Sequence, residues 1–362
     1  RKGVSGDLTL AAQGLPAGVR MLSAPVTKGA GEAVLVFEAD ASAPVGASMV
    51  SMGVREGTHA SVRGRFEQVL ELVQGPPNNT VYFQKKVDRM AVAVVEESPF
   101  RLEVESPRVP LVRSGLMNLR LRVERRGGFK GPVKVRMAWN PPGVGAQDEV
   151  TLAEGQTEAD YPLNASGDAA MRAWTLALIA HAEVGGGKSW ASSDPFTLEV
   201  AAPYVAMRIP MAAGEQGRQV AIPVKVEVLA PFDGEAQVLL AGLPPRVTLE
   251  KNPLPITKGA SEVVFLANVA PDSPAGQHKG LFCNVTIPVK GGAVVQSAGA
   301  GGVLRIDAPS RAAASQGPSS PATADMASVK RPAVTTNSAP AKSLSRLEKL
   351  RADSNPGGRT GP

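Results

Sequence analysis

Gly242-Leu243-Pro244-Pro245-Arg246-Val247, then Pro255-Ile256-Thr257-Lys258-Gly259, then Glu262-Val263-Val264-Phe265-Leu266, is the stretch whose reading decides the fold. It follows an alternating segment with apolar residues at Ala236, Val238 and Leu240, the two-residue period of a half-buried strand. Proline has no N–H to give to a ladder, so Pro244-Pro245 ends that strand. Thr257-Lys258-Gly259 supplies a turn whose glycine accepts positive φ, and the apolar run after it suits a buried strand. Ser273-Pro274-Ala275-Gly276 is a second turn ahead of another long strand.

The same order occurs twice more. Near the N-terminus, Gly14-Leu15-Pro16-Ala17-Gly18-Val19 is followed by Pro25-Val26-Thr27-Lys28-Gly29, by Glu32 to Phe37, and by Ala43-Pro44-Val45-Gly46. In the middle of the chain, Asn140-Pro141-Pro142-Gly143-Val144 leads to Val150-Thr151-Leu152-Ala153-Glu154-Gly155 and then to Thr157 through Leu163. Leu70-Glu71-Leu72-Val73, Phe196-Thr197-Leu198-Glu199-Val200 and Val303-Leu304-Arg305-Ile306 read as the closing strands of the three copies. A fixed order of landmarks, short strands and frequent turn signals predict an all-β chain of two-sheet antiparallel sandwiches.

The expected organisation is therefore a first sandwich over 1–73, an ordered connector over 74–97, and further sandwiches over 98–201 and 202–308. Residues 309–362 form an Ala/Ser/Pro-rich segment expected to be disordered, with a short helix over 343–352 started by the Ser345/Glu348 capping pair. The first copy lacks about thirty residues that precede Gly131 and Gly234 in its siblings. Its opening strands are expected upstream of Arg1, which would leave a sheet edge unpaired.

These residues resemble the tandem immunoglobulin-like repeats of large bacterial secreted or cell-surface proteins, and the sandwich modules that flank glycosidases and subtilisin-type proteases. The resemblance covers residues 1–308 and rests on the Gly-Leu-Pro-x-x-Val turn followed by Thr-Lys-Gly. The second copy departs from it at Trp139-Asn140-Pro141-Pro142-Gly143. The resemblance implies tandem immunoglobulin-like sandwiches in a secreted or cell-surface setting. It implies other domains of the same protein or cell-surface proteins as partners, and it carries no shared catalytic residues.

Composition narrows the function classes. Of the net +6, the segment from Pro309 onward holds +5, with eight basic residues against Asp325, Glu348 and Asp353. The body is nearly neutral and the tail has no aromatic to stack on a base, so nucleic acid is not an expected partner. Arg120, Arg122, Arg125 and Arg126 alternate on a strand and read as a solvated face. No apolar run reaches the ~18 residues of a membrane helix. A single cysteine, Cys283, excludes a disulfide framework and multi-cysteine metal sites, and it sits in an apolar strand as a small hydrophobe.

No nucleophile elbow, phosphate loop or zinc-binding helix motif occurs. His59 and His278 lie at turn edges and His181 in an apolar strand, so no serine triad, cofactor or metal site is expected. Glu96 with Glu97, and Asp148 with Glu149, are neighbours that a strand would point to opposite faces. Asp168 near Asn164 is a weak calcium pattern. Gly299-Ala300-Gly301-Gly302 reads as a hairpin loop, and Gly185-Gly186-Gly187-Lys188 as a hairpin tip. All three tryptophans fall in the second copy. Trp139 and Trp174 suit a core, whereas Trp190, flanked by Ser189, Ser192 and Ser193, is the candidate carbohydrate contact.

The leading expectation is a non-catalytic structural or interaction array. The alternatives are the accessory region of a secreted protease or glycosidase with its catalytic domain upstream, and a carbohydrate-binding module for polysaccharide.

Overall fold

The computed structural model describes residues 6–56 and 62–309. The expected tail and its helix at 343–352, and His59, lie outside the described residues. Every regular element that is described is a β-strand, twenty-eight in all, and no described helix is long and apolar enough to cross a membrane.

The third sandwich is the most complete statement of the fold. Its strands are β20 (Val205–Arg208), β21 (Ala212–Glu215), β22 (Gln219–Val228), β23 (Ala236–Ala241), β24 (Val247–Leu249), β25 (Leu254–Ile256), β26 (Glu262–Val269), β27 (Gly276–Val289) and β28 (Gly292–Asp307). One sheet runs β20-β22-β26-β24, and the other runs β21-β28-β27-β23-β25. In immunoglobulin terms these are the A-B-E-D and A′-G-F-C-C′ layers. Alternation fills the space between them: Val220, Ile222 and Val224 of β22 meet Val238, Leu240, Leu281 and Cys283 across the core.

The second sandwich uses β9 (Phe100–Val104), β10 (Leu111–Val112), β11 (Gly115–Arg125), β12 (Val133–Met137), β13 (Val144–Ala146) and β14 (Val150–Leu152). It continues through β15 (Glu158–Ala165), β16 (Ala173–Leu176), β17 (Leu178–Val184), β18 (Gly187–Ser192) and β19 (Phe196–Ala201). β11 pairs with β9 and β15, and β13 closes that edge. β12 pairs with β14 and β17, while β10 runs parallel to β19 as β21 does to β28. The Pro-turn motif therefore does one job in both sandwiches. The strand after it crosses to the E strand, and the next segment returns to the C strand.

The first sandwich contains β1 (Leu8–Gln13), β2 (Val19–Leu22), β3 (Val36–Ala39), β4 (Gly46–Glu56), β5 (Val62–Arg65), β6 (Gln68–Gly75), β7 (Thr80–Val87) and β8 (Met90–Val94). β2 pairs with β3, and Val26 bridges to Leu8 in the place where Ile256 meets Ala236. The closing strand differs from the reading of Leu70–Val73. Among the described residues β6 pairs only with β7, in a hairpin whose tip places Asn78 and Asn79 at positive φ. The partner of Gly46–Val50 is β8, just as the end of β28 partners Gly276. Residues 90–94, expected in a connector, thus belong to the first sandwich, and the β6–β7 hairpin is inserted within its closing strand.

A second difference concerns Gly299–Gly302, which lies inside β28 and not in a loop. A side chain at Gly302 would come 2.7 Å from Ile209 Cβ, so these glycines let the segment ahead of β21 cross the strand closely.

The second and third sandwiches are joined by secondary structure. Gly115–Leu116 of β11 pairs with Val295–Gln296 of β28, and Val112 belongs to the core of the third sandwich. The buried Gln296 side chain accepts from the Tyr204 and Val205 N–H groups at 2.9 and 3.3 Å and donates to the Val205 carbonyl at 2.5 Å. It fastens the first strand of one sheet to the last strand of the other.

Candidate functional site

The outer face of the second sandwich brings together the candidate that the sequence singled out. Gly185 and Gly186, both at positive φ, turn β17 into β18 and set His181 directly opposite Trp190. On the other side of β17, Lys134 of β12 is the cross-strand partner of His181. Directly paired residues on adjacent strands share a face, so Trp190, His181 and Lys134 form one row across the sheet.

The row is held by local contacts. The His181 and Trp190 rings lie 4.7 Å apart, tilted by 31°. Glu149, just ahead of β14, accepts from Lys134 Nζ at 2.9 Å and stands 4.0 Å from His181 Nε2. The hydrogen bond from Lys134 holds the Glu149 carboxyl below the ordinary carboxylate range, and its counterpart raises Lys134. His181 is covered, with its Nδ1 buried and unpartnered among the described residues, whereas Trp190 keeps 50% of its surface exposed. The free side of the indole is an apolar plate beside charged and hydroxyl groups, which suits stacking against a sugar ring.

Trp174 is buried to 8% exposure and Trp139 is half-buried. Their rings meet edge to face at 5.6 Å, and the Trp174 indole N–H donates to the Ala170 carbonyl at 3.3 Å. The Arg172 guanidinium lies 4.7 Å over Trp174 and reaches the Thr27 hydroxyl, so this pair sits at the contact with the first sandwich. Both rings line a cavity of ≈ 260 Å³ together with Thr27 and Arg172.

The remaining candidates stay apart. His278 contacts the Pro274 carbonyl at 2.7 Å, at the start of β27. Both acidic pairs lie in loops instead of the strands assumed for them; Glu97 engages Arg126, while Glu149 engages Lys134. Asp168 accepts from the Ser166 hydroxyl at 2.6 Å, which lowers its pKa. Among the described residues no three His, Cys, Asp or Glu side chains gather as metal ligands. Cys283 is fully buried, and burial pushes its thiol up to about 12. Arg120 pairs with Glu158 and Asp160 at 2.5 and 3.1 Å, so the arginine-rich strand is matched by acids on its neighbour.

Gln296 was missed by the sequence reading. Its signal was a polar residue at an inward position of a strand, two residues after the buried Val294.

No protein-family model matches the chain, and no curated protein matches it. Among solved structures, an I-band fragment of titin covers 85% of this chain and 94% of its own length, at 10% identity and a TM-score of 0.19. A chimeric titin tandem covers 57% and 96%, at 14% identity and a TM-score of 0.19. An endo-fucoidan hydrolase of glycoside hydrolase family 107 covers 83% of this chain and 39% of its own, at 9% identity and a TM-score of 0.21. Likenesses at this level carry no argument about function; the fold rests on the strand pairing itself.

Proposed function

We propose that this chain is a structural and interaction array of immunoglobulin-like domains belonging to a larger secreted or cell-surface bacterial protein, with no catalytic role of its own. The observation that carries the reading is the junction between the second and third sandwiches. A flexible linker would leave them independent, whereas here β11 and β28 share backbone hydrogen bonds and Gln296 is buried at the join. A fixed relation between neighbouring domains is what a scaffold requires. Its partners are other domains of the same protein or neighbouring surface proteins.

The test is accessibility. Antibodies raised against residues 98–308 should label intact cells of the producing organism, and labelling only after lysis would remove the surface assignment. The purified chain should turn over neither peptide nor glycoside substrates. Turnover abolished by His181→Ala or His278→Ala would replace the scaffold reading with an enzymatic one.

A second reading has its own observation in the exposed Trp190 plate over His181. It makes the second sandwich a polysaccharide contact. Retardation of the parent chain in polysaccharide-loaded gels, lost in Trp190→Ala, would support it; equal mobility of the two chains would end it.

A further inference from the structure

The β6–β7 hairpin leaves the first sandwich between β5 and β8, both of which pair with β4. Neither of its strands has another partner among the described residues, and none of their side chains is buried. It nonetheless carries Val69, Leu72, Val73, Val81, Tyr82 and Phe83, six of the eighteen large apolar side chains that stand exposed among the described residues. A hairpin of two strands is marginal in water unless one face packs on something. An apolar concentration of this kind marks an interaction surface.

The apolar groups are sorted to one side. Val73 pairs with Phe83 and Leu70 with Lys85, and the register shift between Glu71 and Val73 sets Leu72 beside Val73 opposite Phe83. Phe83 and Lys85 are two apart on β7 and point the same way, so Leu70, Val73 and Phe83 share a face. The opposite face holds the pairs Glu71 with Gln84 and Val69 with Lys86. There Glu71 accepts from the Gln74 side-chain amide at 2.6 Å, and Lys86 donates to Glu67 at 2.9 Å. At the tip the Tyr82 hydroxyl donates to the Pro76 carbonyl at 2.5 Å.

We infer that the apolar face of this hairpin is a self-association surface, packed two-fold on the same hairpin of a second copy of the chain. Two features select that occupant. The first is charge. Strand β6 carries Glu67 and Glu71, whereas β7 carries Lys85 and Lys86. A two-fold axis parallel to the strands lays β6 of one copy over β7 of the other, so acids meet bases twice. The same balance leaves the hairpin without net attraction for an anionic membrane. The second feature is area. Half-exposed side chains of this size leave roughly 400–600 Å² of apolar surface open. A pair of hairpins therefore covers about 1,000 Å², the size at which specific association begins.

The experiment is sedimentation velocity on the full chain. Between ~1 and ~100 μM the parent should pass from monomer to dimer. Phe83→Asp puts a charge on the apolar face and should raise the dissociation constant ~30-fold or more. Its melting temperature should match the parent, because Phe83 is exposed. Glu71→Lys and Lys85→Glu should each weaken the dimer ~10-fold by setting like charges across the two-fold. An equimolar mixture of these two variants should restore it, since each then meets its opposite. A parent that stays monomeric to 100 μM overturns the inference. So does a dimer that Phe83→Asp leaves intact, or charge variants that fail to recover on mixing. Binding of the monomeric parent to vesicles containing phosphatidylserine, lost in Phe83→Asp, would also overturn it and give the face to a membrane.

Discussion

Replacing Gln296 with Leu should undo the fastening of β20 to β28, while β20 keeps its pairing with β22, at little change in side-chain size. The structure gives the magnitude. The Gln296 side chain satisfies three backbone groups: the Val205 N–H, the Val205 carbonyl and the Tyr204 N–H. A buried group left without its partner costs ~1–3 kcal/mol. Val205 is only 1% exposed, so neither of its groups regains water, whereas half-buried Tyr204 does so in part. The expected loss is therefore ~3–5 kcal/mol, several times a typical surface substitution. The chain carries its own reporters, since its only cysteine lies in the core of the third sandwich and all three tryptophans lie in the second. Labelling of the Cys283 thiol against urea should move to a much lower midpoint in Gln296→Leu, and tryptophan fluorescence should move less. Gln296→Glu adds a sign test. A buried carboxylate beside the Val205 carbonyl has its pKa raised, so its penalty is present at neutral pH and is relieved as acid protonates it and restores a donor. A loss below ~1 kcal/mol for Gln296→Leu would refute the reasoning, because the three groups would then have found other partners.

Tyr161→Phe removes a hydroxyl that accepts from Met137 N–H at 2.9 Å and donates to the Gln147 carbonyl at 2.6 Å. It should cost ~1–3 kcal/mol by urea titration of the second sandwich. Trp174→Ala should cost ~3–5 kcal/mol as a large core deletion, while Trp190→Ala should change stability by less than ~1 kcal/mol; equal losses would contradict the burial assigned to them. Gly302→Ala drives a side chain into Ile209 and Leu281, and its melting temperature should fall well below that of Gly259→Ala, where nothing lies within 4 Å and φ is not positive. The Cys283 thiol, raised from 9.0 to about 12, keeps its proton in the folded chain. Its contribution to stability is intact below pH 9 and is lost as pH climbs towards 12, so the alkaline fall in urea midpoint should be shallower in Cys283→Ala.

The pairing logic of the fold was legible because it rests on local chemistry. Pro244-Pro245 and Pro141-Pro142 end their strands for want of an N–H; Gly143 and Gly155 then turn at positive φ, whereas after Pro244-Pro245 it is Arg246 that takes positive φ and Gly259 turns without it. Leu70–Val73 misled for an equally physical reason. An apolar tetrapeptide with strand propensity does not say which strand it will pair with, and here β7, a few residues away, offers a hairpin partner, while β5 and β8 take the edge of β4. The true closing strand, β8, lies beyond the inserted hairpin, where the order of landmarks alone could not place it.

Gly299–Gly302 and Gln296 show what a two-residue period leaves out. Glycine in a strand reads as a loop when only local propensity is weighed, yet the 2.7 Å approach of Ile209 makes a missing side chain the condition for the strand to continue. Gln296 violates the apolar alternation of β28 at an inward position, and its partners lie 91 residues back at the start of β20. Both departures come from segments that cross between layers or between sandwiches. Alternation tells a strand which face to bury, so it specifies each layer well. What joins one layer to the next is written where that alternation breaks, and in this chain the breaks cluster along β28, the strand that also pairs with its neighbour's β11.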